Sequence, residues 1–169
     1  LKFLAREHGY NLRTVEACVA VNSDQKTRLF EKAKDRMISF SSLKVAVLGL
    51  TFKAGTDDLR EAPSIDNIKL LLQAGADIYA FDPKGETRAK QIFPEGKLEK
   101  GTMNYVSSPL EALDRANICF VFTEWKEMKE LTPADFKNNM HTPLVYDGRN
   151  LYSPEAMKEQ GVEYYSIGR

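Results

Sequence analysis

Apolar residues along this chain alternate between two spacings. Lys44-Val-Ala-Val-Leu-Gly-Leu50 is a short, partly β-branched apolar run ending beside a glycine, the pattern of a strand covered on both faces. Residues 64–74 place Ile65, Ile68, Leu71 and Leu72 on one helical face and stop at Gly75, a residue suited to the left-handed turn that closes helices. The same alternation continues to the end. Strands are predicted over 77–82, 118–123, 143–147 and 164–167, and helices over 84–92, 109–115, 127–131, 133–140 and 154–160, with 94–104 irregular. Ahead of the first strand, an opening helix closes at Gly9, and Asn11 is placed to cap a long helix over 12–37 that Ser39 to Ser42 ends. Its apolar stripe is Leu12, Val15, Cys18, Val19, Leu29, Phe30, Ala33 and Met37. The order of elements predicts an α/β fold, a doubly wound and mainly parallel sheet with helices on both faces, preceded by a long N-terminal helix.

In such a sheet ligands bind beyond the carboxyl ends of the strands, and the polar clusters fall there. The first strand runs into Gly49-Leu-Thr-Phe-Lys-Ala-Gly-Thr-Asp-Asp-Leu-Arg-Glu-Ala-Pro-Ser64. Thr51 and Ala54 stand where the GxGxxG fingerprint needs glycine, so a pyrophosphate seated directly on the following helix is disfavoured. The loop instead offers Lys53 and Arg60 as cations, with Asp57, Asp58 and Glu61 near enough to hold them. Residue types alone leave two readings, an anion site and a solvated connection whose charges pair with one another. The other strands end in Asp82, in Thr123-Glu124-Trp125 and in Asp147-Gly148-Arg149-Asn150. Asp82 is expected to terminate its strand and start a turn, and Trp125 to cap the sheet edge. Arg149 follows a glycine and carries a rigid donor fork suited to phosphate or a uracil carbonyl.

Composition narrows the function classes. With 43% hydrophobic and 28% charged residues in 169, the chain has material for one domain with an appendage. Twenty-four basic and twenty-four acidic side chains cancel, which leaves no general electrostatic case for nucleic acid or a membrane surface. No run is long enough to span a bilayer, and the first residues lack the order of a signal peptide, so the cytoplasm is the expected compartment. Two cysteines without a CxxC and two histidines predict neither a metal centre nor a disulfide framework. Cys18 and Cys119 are both expected to be apolar fillers, and His8 and His141 structural or solvated. The charged run 126–130 reads as a solvated helix face.

The loop GLTFKAGTDDLREAPS resembles the signature loop of the C-terminal domain of the nucleotide-sugar 6-dehydrogenases, the UDP-glucose/GDP-mannose dehydrogenase family. The resemblance continues through FDP at Phe81 to Pro83, FTEW at Phe122 to Trp125, YDGRN at Tyr146 to Asn150 and YYSIGR at Tyr164 to Arg169. Residues 1–22 are similar to the family's central helical region. The GTDDLRE stretch is common to the family, whereas TEW, DGRN and YYSIGR resemble its UDP-glucose branch. The resemblance implies a Rossmann-like domain over 41–169 that binds a nucleotide-sugar. It also implies a central helical segment over 1–40 that builds a homodimer. Phe52, Lys53 and Arg149 match family positions that contact the substrate, UDP-glucose, and Arg60 matches the arginine that reaches the NAD held on another domain. The family's catalytic thiol, which carries thiohemiacetal and thioester intermediates, lies upstream of the helix that opens this chain. Neither Cys18 nor Cys119 matches it, so no catalytic residue is assigned here and the chain alone is expected to be inactive. Two alternatives remain at this point: a domain acting on GDP-mannose or another nucleotide-sugar, and a nucleotide-binding module without chemistry of its own.

Overall fold

Strand β1 (Lys44–Leu48) sends Val45 and Val47 into one hydrophobic core and Ala46 and Leu48 into another, which is why its apolar run is unbroken. In the computed structural model, which describes residues 7–10 and 12–168, β1 lies between β2 (Asp77–Phe81) and β5 (Ile118–Val121), both parallel to it. Beyond β2 come β4 (Gly101–Tyr105), parallel, and β3 (Gly96–Leu98), antiparallel. Beyond β5 come β6 (Leu144–Asp147) and β7 (Glu163–Ser166), both parallel. The order β3-β4-β2-β1-β5-β6-β7 changes direction between β1 and β5, and in such sheets the crevice beyond the carboxyl ends at that switch receives ligands.

Helices cover both faces. On the side of Val45 and Val47 lie α2 (Arg28–Arg36), α3 (Pro63–Gln73) and α4 (Glu86–Ile92), contributing Leu29, Phe30, Ala33, Ile68, Leu71 and Ala89. On the side of Ala46 and Leu48 lie α5 (Pro109–Leu113), α6 (Lys126–Lys129), α7 (Pro133–Asn139) and α8 (Pro154–Glu159), which bury Leu113, Met128, Phe136 and Met157. The doubly wound, mainly parallel α/β architecture is the one the alternation predicts.

Two expectations about the elements themselves are overturned. The segment over 94–104 is not irregular but forms the β3–β4 hairpin at the sheet edge. Its residues lack β-branched enrichment, and pairing with β2 draws them into the sheet. Gly101 permits this approach, since a Cβ there would lie 2.2 Å from the Ala76 carbonyl oxygen. The single helix over 12–37 is instead two, α1 (Arg13–Lys26) and α2, broken at Thr27. Buried Asn67 on α3 holds the break: its Nδ2 donates to the Lys26 carbonyl (2.6 Å) and its Oδ1 accepts from Phe30 N–H (3.1 Å). Each bond satisfies a backbone group that a helix end leaves unpaired.

Only the second half of the predicted apolar stripe is buried. Leu29, Phe30 and Ala33 join the core, whereas α1 buries no residue and its Val19 is 50% exposed. Cys18 is exposed on α1, so the filler role expected for it does not hold. Gly9 has the φ of 74° suited to closing a helix. Glu7, just before it, is helical, while residues 1–6 of the expected helix and the Asn11 cap fall outside the described residues.

Tyr146 stacks between Phe120 and Tyr165 with its hydroxyl buried and unpaired. Burial, reinforced by nearby Tyr165, pushes that hydroxyl from 10.0 up to about 12. The folded state thus keeps the proton while the unfolded chain loses it. The stabilising contribution is whole below pH 10.0 and is lost as pH rises through about 12. Urea unfolding at increasing alkaline pH is expected to show this decline, less steep in Tyr146→Phe. That variant is expected to be at least as stable as the parent at neutral pH, because it deletes an unsatisfied buried hydroxyl.

A candidate anion-binding groove

The loop after β1 is fixed from within before it reaches any ligand. At Gly49 the backbone turns with φ 88°, and a Cβ there would lie 2.5 Å from the Thr123 Cβ, so only glycine fits. Asp82, at the end of β2, is 4% exposed. Its Oδ2 accepts from Leu50 N–H (2.7 Å), Thr51 N–H (3.1 Å), the Thr51 hydroxyl (3.1 Å) and the Trp125 indole N–H (3.0 Å). Its Oδ1 accepts from Lys84 N–H (2.9 Å) and Gly85 N–H (2.6 Å). The Ser64 and Thr123 hydroxyls donate to the carbonyls of Leu50 and Thr51. Asp82 is therefore the structural strand terminator expected. Trp125, also buried, braces the loop through its indole N–H.

Held in this way, the loop projects Phe52 outward, 49% exposed, while its N–H donates to the Asp58 carbonyl (2.9 Å). At the end of β6, Asp147 plays the part of Asp82. Its Oδ1 accepts from Arg149 N–H (2.7 Å), and its Oδ2 from Leu151 N–H (2.6 Å) and the Tyr164 hydroxyl (2.8 Å). Glu124 Oε2 then receives Nε and Nη2 of the Arg149 guanidinium. One edge of the fork is thereby fixed, and the Nη1 edge has no hydrogen bond among the described residues.

Phe52 and Arg149 meet the same groove. Phe52 lines a cleft of about 530 Å³ with Asn22, Lys26, Glu61 and Ile167. A smaller pocket of about 50 Å³ shares Lys26 and Ile167 with it and adds Leu29, Phe122 and Arg149. Arg60 is elsewhere, in a separate cleft of about 490 Å³ with Leu59, Arg88 and Ile92. Its Nε and Nη2 grip the Asp58 carboxylate at 3.0 and 2.8 Å. Side-chain and backbone hydrogen bonds from Arg60 hold the Asp58 carboxyl well below the usual carboxylate range. Lys53 is exposed, lines neither cleft and makes no ion pair among the described residues. Of the acidic residues expected to hold the loop cations, only Asp58 does so. Asp57 pairs with Arg88 at 2.7 Å and Glu61 with Lys26, because α4 and the end of α1 bring cations nearer than Lys53.

Lys26 and Ile167 also line the groove, Lys26 from the end of α1 and Ile167 from the YYSIGR stretch just after β7. Lys26 lies off the predicted apolar stripe, at the last residue of α1 before the break at Thr27. Cys119 is fully buried, and burial raises its thiol well above the ordinary value, as suits a filler. His8 and His141 are exposed. Among the described residues no group of three or more His, Cys, Asp or Glu is gathered to hold a metal ion, and no helix is long and apolar enough to cross a membrane.

Comparison with known proteins fits this arrangement. The profile of the UDP-glucose/GDP-mannose dehydrogenase family, UDP binding domain, matches residues 46–154. UDP-glucose 6-dehydrogenase YwqF of Bacillus subtilis is 36% identical over 163 residues, covering 96% of this chain and 35% of that protein. UDP-glucose 6-dehydrogenase of Pseudomonas aeruginosa is 37% identical over 166 residues, covering 98% of this chain and 36% of that protein. The chain thus spans about a third of the length of these curated relatives. A UDP-glucose dehydrogenase structure from the archaeon Pyrobaculum islandicum shares the fold, with a TM-score of 0.78 at 24% identity over 97% of this chain and 34% of that one. With a family profile over most of the sheet and full-chain relatives above the identity at which family membership is secure, the chain belongs to the UDP-glucose/GDP-mannose dehydrogenase family and contains its UDP-binding domain.

Proposed function

We propose that this chain is the nucleotide-sugar-binding C-terminal part of an NAD-dependent UDP-glucose 6-dehydrogenase, a cytoplasmic enzyme that oxidises UDP-glucose to UDP-glucuronate. The observation that carries the reading is the convergence of Phe52 and Arg149 on one groove at the carboxyl ends of β1 and β6, in a domain family described as UDP-binding. Arg149 offers its Nη1 edge to a phosphate or a uracil carbonyl, the exposed Phe52 ring offers an apolar wall, and Lys53, exposed next to Phe52 but outside the clefts, is assigned as a substrate contact on its match to the family position. Arg60 and its neighbour Arg88 offer guanidinium donors on a separate cleft, a donor set that fits the phosphates of NAD. When bound, NAD supplies the hydride acceptor.

Residues 1–40 serve as the central segment and 41–169 as the nucleotide-sugar domain. With no residue of α1 buried, its Val15, Val19 and Val21 are available to a second copy, and the expected assembly is a symmetric homodimer, to be measured by light scattering. Covalent oxidation needs a positioned thiolate. Cys119 is sealed in the core and Cys18 lies exposed on α1, so neither serves. Calorimetric titration is expected to show UDP and UDP-glucose binding in preference to GDP. The same chain incubated with NAD and UDP-glucose is expected to yield no NADH. A preference for GDP would overturn the UDP assignment, and NADH formation that depends on Cys18 or Cys119 would overturn the assignment of chemistry to residues outside this chain.

A further inference from the structure

We propose that Lys26 is an anion-binding residue of the groove, and that Glu61 is the counter-ion it releases when a nucleoside diphosphate enters. This rests on the reading of the groove as the nucleotide-sugar site. Lys26 is the last residue of α1 and lines both the wide cleft beside Phe52 and the smaller pocket beside Arg149. Among the described residues no other cation lines both. Its ammonium is paired with the Glu61 carboxylate across the mouth of the cleft.

The two partners differ in how firmly they are held. The Lys26 side chain is 22% exposed and that of Glu61 79%. The Lys26 carbonyl is tied to Asn67 at 2.6 Å, so the backbone that carries the ammonium is fixed to α3. Glu61 sits in the connection before α3 with φ 60°, a left-handed conformation unfavourable for a residue with a Cβ, and its carboxylate reaches into solvent. The cation is therefore the fixed partner and the carboxylate the displaceable one. An exposed pair of this kind adds little stability, so little opposes its opening. A diphosphate carries more charge than one carboxylate and has acceptors enough for both Lys26 and Arg149, which line the same small pocket. Arg149 differs from Lys26 in this respect, because Glu124 occupies its Nε and Nη2 edge and leaves Nη1 open; no partner has to be displaced there.

Removing the cation and removing its counter-ion should therefore act with opposite signs. By titration calorimetry with UDP, Lys26→Met is expected to bind about tenfold more weakly than the parent, with Lys26→Arg retaining most of the affinity. Glu61→Gln is expected to bind about threefold more tightly, since a neutral amide competes less for the ammonium. Uridine, which lacks phosphate, should bind all these variants equally. Unchanged UDP affinity in Lys26→Met, with Arg149→Ala weakened, would overturn the role of Lys26 and leave the groove reading standing. Weaker UDP binding by Glu61→Gln, or parallel losses for uridine, would mean that the pair only holds the loop in shape and would overturn the counter-ion exchange. Absence of UDP binding by the unaltered chain would overturn both readings. Glu61→Gln alters an exposed side chain, so the sign of its effect remains decisive even if Lys26→Met fails to fold.

Discussion

Asp82→Ala is expected to destabilise the chain by about 3–5 kcal/mol, among the largest single-residue effects in a domain of this size. The carboxylate accepts four backbone N–H groups, the Thr51 hydroxyl and the Trp125 indole. Alanine leaves these buried donors facing one another, and each unsatisfied group carries a desolvation cost of about 1–3 kcal/mol before water enters to relieve it. Asp82→Asn is not expected to restore stability. Both carboxylate oxygens face donors, so whichever way the amide turns, its NH₂ opposes N–H or O–H groups. Urea unfolding checks the stability, and near-ultraviolet circular dichroism of Trp125, the chain's one tryptophan, checks the loop. A loss below about 1 kcal/mol, the contribution of a single ordinary hydrogen bond, would show that Asp82 is not the keystone of the loop.

Arg149→Ala is expected to weaken UDP binding by about 10- to 100-fold, from the loss of charge-assisted hydrogen bonds of about 1.5–3 kcal/mol. Arg149 is preorganised: Asp147 fixes its backbone and Glu124 fixes its guanidinium, so little freedom is lost when a ligand arrives. Lys53→Arg, which preserves charge at an exposed position outside the groove, should change affinity far less. Arg60→Ala should leave UDP binding nearly unchanged, because its cleft is a different one. Titration calorimetry of the three variants decides the matter, and equal UDP binding by Arg149→Ala and the parent would remove the groove from consideration as the nucleotide site.

The buried parallel strands were legible because each is covered on both faces and must be apolar throughout, as Val45 to Leu48 and Ile118 to Val121 are. The helices starting at Pro109, Pro133 and Pro154 are legible to the residue and the one at Pro63 to within one residue, and each has the proline that a first helical turn favours. Arg149 stood out because a guanidinium after a glycine at a strand end has no packing role. What escaped depends on partners distant in sequence. The β3–β4 hairpin is specified by the open edge of β2 rather than by its own residues. The break at Thr27 is made by Asn67, whose position on α3 comes 37 residues after the Phe30 N–H it accepts. Lys26 ends α1 at that break, and its pairing with Glu61 spans 35 residues, a contact that local spacing does not encode.

The Asn67 bridge also divides the N-terminal segment into two cooperative units. Residues on the C-terminal side of Thr27 share the sheet's core through Leu29, Phe30 and Ala33, so their amides open for hydrogen exchange only when the sheet itself unfolds. On the other side, α1 buries nothing, and its amides are expected to exchange through local fraying well before those of the sheet, because a helix of 14 residues has marginal stability by itself. The contrast between the two makes α1 its own reporter of assembly. Any surface that covers it, whether a second copy or another domain, converts a freely exchanging helix into a protected one without altering the exchange of the sheet.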